Sequence, residues 1–208
     1  MREAMKEFEI DYLVHFTQAE NLSSIIRHGI LPVAQQRSHN ISARRNDVFR
    51  MDFCEDATST SIHFPNYRLF YRFRRNDMSV DWVVLLLSPE LLIEKQCAFC
   101  TDNAANSNIS QQALRDRIGA DALRRMFDEI PGKPTRAVLG IPKYLPTNPQ
   151  AEVLVFGKIE PHHIGAVIFE NNATLQKYRH MVPNDLEADV FEEFFAPRKD
   201  YVHWQREA

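Results

Sequence analysis

Glycine is scarce in this chain, at 6 of 208 residues, and cysteine is scarcer, at 3. So little glycine beside 11 prolines excludes collagen-like and low-complexity architectures. The cysteines, Cys54, Cys97 and Cys100, are too few and odd in number for a disulfide framework, and they fit a reducing compartment. Long apolar runs are also missing. The longest, Trp82 to Leu87, falls far below the ~20 residues a bilayer-spanning helix needs. The opening stretch MREAMKEFEIDY alternates charged with apolar residues and lacks the apolar core of a secretory signal. No G-x-G-x-x-G and no Walker loop occurs, so neither Rossmann nor P-loop phosphate binding is supported. The expected location is cytoplasmic, with no membrane partner.

What is present is enough for a sizeable core: 44% apolar residues, 11% aromatics and 25% charged residues exclude disorder as the overall state. The length suits one domain, expected to run over 1–208. A net charge of -3 argues against indiscriminate nucleic-acid binding, yet the charge is uneven. Between Gln35 and Arg75 lie 8 arginines (Arg37, Arg44, Arg45, Arg50, Arg68, Arg72, Arg74, Arg75) against 4 acids (Asp47, Asp52, Glu55, Asp56), or 8 - 4 = +4. Asp185, Glu187, Asp189, Glu192 and Glu193 gather near the other end. Either the arginines form a local basic surface, or several of them pair with that acidic stretch.

Patterning predicts intermixed strands and helices. A strand over about 11–16 leads into a helix opened by Thr17 and Glu20 in capping-box relation, carrying Leu22, Ile25 and Ile26, and stopped by Gly29 ahead of Pro32. Weak periodicity from Pro32 to Thr58 predicts a long irregular loop. A helix follows over 65–74, with Leu69, Phe70 and Phe73 on one face. Trp82 to Leu87, apolar on both faces, reads as a central strand. Leu123, Met126, Phe127 and Ile130 mark a helix capped by Asp121 and ended by Pro131-Gly132. Three prolines between Pro142 and Pro149 forbid a helix or central strand there, and strands over 151–156 and 166–169 come next. Leu186, Val190, Phe191 and Phe194 predict a last helix over 186–195. Without regular βαβ alternation, this order implies an α+β fold with a mixed or antiparallel sheet.

Several residues could carry chemistry. Glu152 opens an apolar strand directly after the proline-rich loop, where a carboxylate is held more firmly than on a loop, although taken alone a strand-edge glutamate is more often a solvated rim residue. Gln150 projects on the same side if the chain is extended. His15, Phe16 and Thr17 join the first strand to the first helix, where amides face a polar ligand; as core histidine and helix cap they would be structural only. Arg50 stands among apolar neighbours, suited to bidentate phosphate recognition or to a structural pair. Thr58 to Ser61 reads as a hydroxyl-rich strand edge. From Tyr67 to Arg75 aromatics alternate with arginines, a mix that stacks bases and grips phosphates, or one that simply makes an amphipathic helix. Cys97 and Cys100 have C-x-x-C spacing without a second pair, which reads as two semi-buried thiols rather than a zinc site.

Taken in order, these pieces resemble the DarT family of nucleic-acid ADP-ribosyltransferase toxins. The likeness is carried by Leu13-Val14-His15-Phe16-Thr17 with Asn21-Leu22 and Gly29-Ile30-Leu31, by Ser61 to Tyr67, by Asp81 to Leu87, by Cys97 to Cys100 before Asn103-Ala104-Ala105, and most specifically by Leu145 to Phe156. It spans about residues 11–170 and is closer to the guanine-modifying branch than to the thymine-modifying one. The resemblance implies an ADP-ribosyltransferase fold, with NAD as co-substrate held in a cleft between two sheets, and transfer of ADP-ribose to a base of single-stranded DNA. It implies Glu152 as catalytic glutamate with Arg50 as its charged companion. His15, Phe16, Thr17, Asn21, Gly29, Ser61, Tyr71 and Arg50 would contact NAD, with Arg44 and Arg45 competing for the phosphates. Tyr144, Asn148, Gln150, Arg44 and Arg45 would meet the nucleic acid. Gln150-Ala151-Glu152 also resembles the Q-x-E of other ADP-ribosyltransferases. No metal is expected, and a macrodomain-type antitoxin is the expected partner. The rivals are transfer to RNA or protein, NAD hydrolysis, and a non-catalytic nucleic-acid-binding module.

Overall fold

A computed structural model of the chain describes residues 1–38 and 54–205. In order, the elements are α1 (Arg2–Glu7), β1 (Leu13–Gln18), α2 (Leu22–His28), α3 (Val33–Ser38), β2 (Ala57–Ile62), α4 (Tyr67–Asn76), β3 (Trp82–Leu87) and α5 (Leu91–Glu94). There follow β4 (Cys97–Cys100), α6 (Ser107–Ser110), α7 (Ala120–Arg125), α8 (Arg136–Leu139), β5 (Glu152–Phe156), β6 (Ile164–Phe169), α9 (Asn172–Tyr178) and β7 (Glu187–Val190). The strands form a seven-stranded sheet in the order β4-β5-β2-β1-β3-β6-β7, antiparallel throughout except where α9 carries the chain from β6 to its parallel neighbour β7. The expected α+β class and mixed sheet are what the chain adopts. No helix among the described residues is long and apolar enough to cross a membrane.

Alternation along the strands sorts side chains onto two faces. On one, Leu13, Val83, Leu85, Val153, Val155, Val167 and Phe169 build the main core under α1, α2, α7 and α9. The other face carries two separate clusters. Val14, Val84, Ala166 and Ile168 pack with Trp82 against Phe70 of α4 and against Phe194 and Phe195. Ala57, Ala98, Cys100 and Leu154 pack with Ala104 and Ile109.

The gap between those clusters marks a seam. β1 and β2 are joined through two residue pairs, Leu13 with Ile62 and Val14 with Ser61. Beyond them the strands part: His15 to Gln18 continue with β3, while Ala57 to Thr60 continue with β5. The expected two sheets are therefore one hydrogen-bonded sheet, opened along its middle because only the first residues of β1 reach β2.

Several local expectations are corrected. Thr17 does not cap a helix. It is still in β1, a 3₁₀ turn over Ala19–Asn21 intervenes, and α2 starts without a side-chain cap. Gly29 does stop α2, with φ +79° and its N–H on the Ile25 carbonyl at 2.7 Å. Val33–Ser38 is helical where a loop was expected, since four of its residues have ordinary helix propensity and no glycine or proline interrupts them. Thr58 to Ser61 lie in a central strand, not at an edge; the Thr60 hydroxyl is satisfied by the Val153 carbonyl at 2.9 Å. Gly119, not Asp121, precedes α7, which ends at Arg125 rather than near Pro131. The last predicted helix is instead β7 followed by a 3₁₀ turn at Glu192–Phe195. Leu186 and Val190 pack with Ala188 against the main core, and Phe194 and Phe195 reach the other face.

Candidate active site

The site begins where the proline-rich loop enters the sheet. Arg136 donates to the Thr147 hydroxyl (2.8 Å) and to the Pro142 carbonyl (3.0 Å). From beneath, buried Arg198 donates to the carbonyls of Pro146 and Thr147, both at 2.8 Å, while Asp200 holds it through two 2.6 Å contacts. Trp204 Nε1 donates to the same Asp200 carboxylate at 2.7 Å. Two arginines thus supply this loop with donors that a regular ladder supplies elsewhere: Arg198 satisfies the carbonyls of Pro146 and Thr147, and Arg136 adds to the Leu145 N–H on that of Pro142. Asn148 closes the turn, its Oδ1 accepting from Gln150 N at 2.9 Å and its carbonyl from Ala151 N at 3.1 Å.

Glu152 follows as the first residue of β5, 4% exposed. Its Oε1 accepts from Asn66 Nδ2 (3.1 Å) and Asn103 Nδ2 (2.9 Å), and its Oε2 accepts from Ala104 N (3.0 Å). Donors on both oxygens fix the plane of the carboxylate. Gln150 faces the same segment, its Nε2 lying 3.4 Å from Asp102 Oδ1, while Asp102 is held by Asn103 N and Asn106 Nδ2. Gln150 stands in the turn that Asn148 closes and not in extended backbone, so it meets the surroundings of Glu152 through Asp102 rather than by strand alternation.

β1 supplies the other wall. His15 Nδ1 lies 2.9 Å from the Ser59 carbonyl, bridging the two strands where their ladder has ended. Thr17 is buried and its Oγ1 accepts from Asn21 Nδ2 at 3.0 Å. The Phe16 ring stacks on Phe70 of α4 with centroids 4.5 Å apart. Ser61 is buried on β2 opposite Val14. α4 itself starts beside the carboxylate: Asn66 caps it by accepting from Leu69 N at 3.2 Å while its amide reaches Glu152. Tyr71 lies on the outer face of α4, exposed, with Arg75 donating to its hydroxyl at 3.2 Å.

Two expected NAD or substrate residues have evident structural surroundings. Gly29 packs so tightly that a Cβ there would stand 2.2 Å from the Ile159 carbonyl oxygen. Tyr144 rests on His63 at 4.7 Å, and His63 rests on Tyr12 at 4.3 Å. His63 is buried with φ +58°, a backbone conformation uncommon for a residue with a side chain, and its Nε2 accepts from Asp11 N at 3.0 Å. Burial holds its pKa below the ordinary 6.5, with Asp11 and the Glu9 backbone pulling the other way. Burial likewise lifts the Tyr12 hydroxyl above its ordinary value, with Tyr144 and Asp11 adding to it.

Arg44, Arg45 and Arg50 lie outside the described residues. Of the remaining arginines in that basic stretch, Arg74 turns inward: it pairs with Glu170 and donates to the Phe195 carbonyl at 2.6 Å. Among the described residues no ion pair joins the stretch to Asp185, Glu187, Asp189, Glu192 or Glu193. Cys97 and Cys100 sit on opposite faces of β4, Cys97 in the main core and Cys100 beside Ala104, so the two cannot converge on one ion. Burial pushes their thiols up to about 12 and about 11, the latter despite Arg117.

Residue-by-residue reading of the sequence missed the residues that hold the site: Asn66, Asn103, Arg136, Arg198 and Asp200. Asn66 and Asn103 stand inside matched motifs, which was their only signal. Nothing local singles out Arg198.

The fold has known counterparts. The profile of the DarT family, described as "ssDNA thymidine ADP-ribosyltransferase", matches residues 14–195. Among solved structures, Thermus sp. 2.9 DarT in complex with carba-NAD+ is similar with TM-score 0.59 at 12% identity, covering 90% of this chain and 98% of that one. The same protein in complex with NAD+ gives TM-score 0.57 at 12% identity over 90% and 98% of the two chains. Thermosipho africanus DarTG in complex with ADP-ribose gives TM-score 0.57 at 13% identity; it covers 89% of this chain, which spans only 51% of that longer one. Comparison with curated proteins by sequence gives no match. With a sheet opened at one seam, a buried carboxylate at the head of β5 and a family profile running through both, the chain belongs to the DarT family of single-stranded-DNA ADP-ribosyltransferases.

Proposed function

We propose that the chain transfers ADP-ribose from NAD to a base of single-stranded DNA with Glu152 as its catalytic carboxylate, and that the base is guanine. The observation that carries the reading is Glu152 itself, buried at a strand head and hydrogen-bonded on both oxygens. In the reaction the bond from the ribose C1′ to the nicotinamide nitrogen breaks, and its electron pair leaves with neutral nicotinamide. Positive charge develops on the sugar, as in glycoside cleavage. A fixed carboxylate stabilises that cation more than the ground state, and the difference accelerates the step. A nitrogen of the base then bonds to C1′ and gives up a proton.

His15, Phe16, Thr17, Asn21, Gly29, Ser61 and Tyr71 are the proposed NAD contacts, with an arginine among Arg44, Arg45 and Arg50 on the phosphates. The end of the β1–β2 ladder at Val14 supports this, since His15 and Thr17 lie beyond its register on that side while the flanking ladders continue. Tyr144, Asn148 and Gln150, held on the clamped loop, are proposed to meet the DNA. Thermus sp. 2.9 DarT is known in complex with NAD+ and with ADP-ribosylated ssDNA, which supports the same substrates here. The guanine assignment rests on the Gln150-Ala151-Glu152 pattern and the blocks around it. A macrodomain-type antitoxin belongs to the same proposal, supported by the DarTG name of the Thermosipho relative.

The test is incubation with labelled NAD and separate pools of single-stranded DNA, duplex DNA, RNA and protein. Label on single-stranded DNA, lost with Glu152→Ala, is expected, and mass mapping of homopolymers should place it on guanine. Label on thymine would overturn the base assignment and keep the site. Label on RNA or protein alone would overturn the substrate, and unchanged transfer by Glu152→Ala would overturn the site.

A further inference from the structure

We propose that Glu94, His162 and His163 bind a divalent ion of the zinc class, which fastens α5 to the 3₁₀ turn Pro161–His163 ahead of β6. One ligand atom from each of the three residues lies within 4.8 Å of the others. Of these, His163 Nε2 and Glu94 Oε2 stand 3.3 Å apart. That is long for a charge-assisted hydrogen bond, which prefers about 2.7–2.9 Å. It matches the spacing of two donors on one tetrahedral ion: bonds of about 2.0–2.1 Å place such donors about 3.3 Å apart.

The surroundings suit a cation. His163 is buried and its backbone is pinned at both ends, N–H to the Glu160 carbonyl at 3.0 Å and carbonyl to Ser88 N at 2.8 Å. The rings of His162 and His163 stand 4.2 Å apart, so their nitrogens address one region. Among the described residues Glu94 has no lysine or arginine within ion-pair distance, and it is exposed, which leaves an entry path. A second carboxylate, Glu160, brings Oε2 to 3.9 Å from His163 Nε2 and is steadied by Lys95 at 2.7 Å, so it can support the site from its rim. Two imidazoles with one carboxylate select zinc, cobalt or nickel over magnesium or calcium, which prefer all-oxygen shells.

Such an ion would act on the fold. It would join the β3–β4 connection, which contains α5, to the β5–β6 connection, which contains the turn. Both connections pack on the main core through Leu91, Leu92 and Ile159, whereas Glu152 adjoins the small cluster around Ala104. The inference is therefore independent of the transferase reading.

The test uses the tag-free full chain, stripped with chelator and titrated with Zn²⁺ against a chromogenic competitor. One equivalent should bind. The Glu94→Gln/His162→Gln double variant, altered at two exposed positions and checked for unchanged circular dichroism, should bind at least tenfold more weakly. Zinc should raise the melting temperature of the parent but not of that variant, and Co²⁺ should give the visible absorption of a four-coordinate site in the parent alone. No uptake by the parent, equal uptake by the variant, or loss of binding on Cys54→Ser instead would overturn the proposal.

Discussion

Donors surround the Glu152 carboxylate, and Glu152→Gln exchanges an acceptor for an amide that must face Asn66, Asn103 or the Ala104 N–H. Transfer should fall roughly a hundredfold, the equivalent of about 3 kcal/mol of transition-state stabilisation. Unlike a pure surface-charge change, it should also lower stability by about 1–3 kcal/mol, because one buried donor loses its partner. Single-turnover transfer and a urea melt separate the two effects. Gly29 carries a forecast for stability. In Gly29→Ala the new Cβ meets the Ile159 carbonyl at 2.2 Å, at a φ of +79° that disfavours any side chain. The Ile30–Ile159 bridge must give way, costing about 3 kcal/mol and roughly 10 °C in melting temperature by calorimetry. Glu152 was legible through the family motif around it and the rigid loop before it; alone, a glutamate at a strand head is more often a solvated rim residue, which its burial here excludes. Asn66 and Asn103 were not, since an asparagine that orients a carboxylate looks like one that caps a helix, and Asn66 does both.

Between the loop of Pro142 to Pro149 and the segment after Pro197, Arg198 is a link: it donates to the loop carbonyls of Pro146 and Thr147 while Asp200 pairs its charge from within the segment. Arg198→Met strands the Asp200 carboxylate, itself 2% exposed, and should destabilise the fold by about 3–5 kcal/mol. Arg198→Met/Asp200→Leu removes both charges and should recover part of that loss. In both, the loop carbonyls of Pro146 and Thr147 lose their donors, so the KM for single-stranded DNA should rise more than kcat falls. A recovered KM in the double variant would show that the ion pair, not the loop contact, sets the effect. At this scale the sequence misleads where two periods fit one short segment. Leu186, Val190, Phe191 and Phe194 suit a helix, but Ala188 and Val190 also alternate as a strand, and pairing with β6 decides the matter. Capping fails similarly: Thr17 and Glu20 have the right spacing, yet β1 extends to Gln18 because β3 offers it partners that far. By contrast Trp82 to Leu87 was readable to the residue, since six apolar positions bounded by Asp81 and Ser88 admit little else.

For the molecule as a whole, buried titratable groups set a pH window. His63, buried between Tyr12 and Tyr144 and near Asp11 and Glu9, is held neutral in the fold, so an unfolded chain binds more protons once the pH falls below 6.5, and stability declines on that side. Cys97 and Cys100 keep their protons in the fold to about 12 and about 11, so stability declines as the pH rises past the ordinary thiol value of 9.0. The alkaline loss is about 1.4 kcal/mol per cysteine for each pH unit. Melting temperature plotted against pH should show a plateau between the two, and Cys97→Ala/Cys100→Ala should flatten the alkaline limb while leaving the acid limb in place. The sheet seam bears on how such a protein is assembled. On one side stand β4, β5 and β2, and on the other β1, β3, β6 and β7. The chain passes from one side to the other between β1 and β2, β2 and β3, β3 and β4, and β5 and β6. Neither half is a continuous stretch of sequence. The two halves are partners in space that no single cut of the gene can separate, so each must acquire its strands from the other's intervening segments, and a nascent chain completes the cleft only when β5 has left the ribosome.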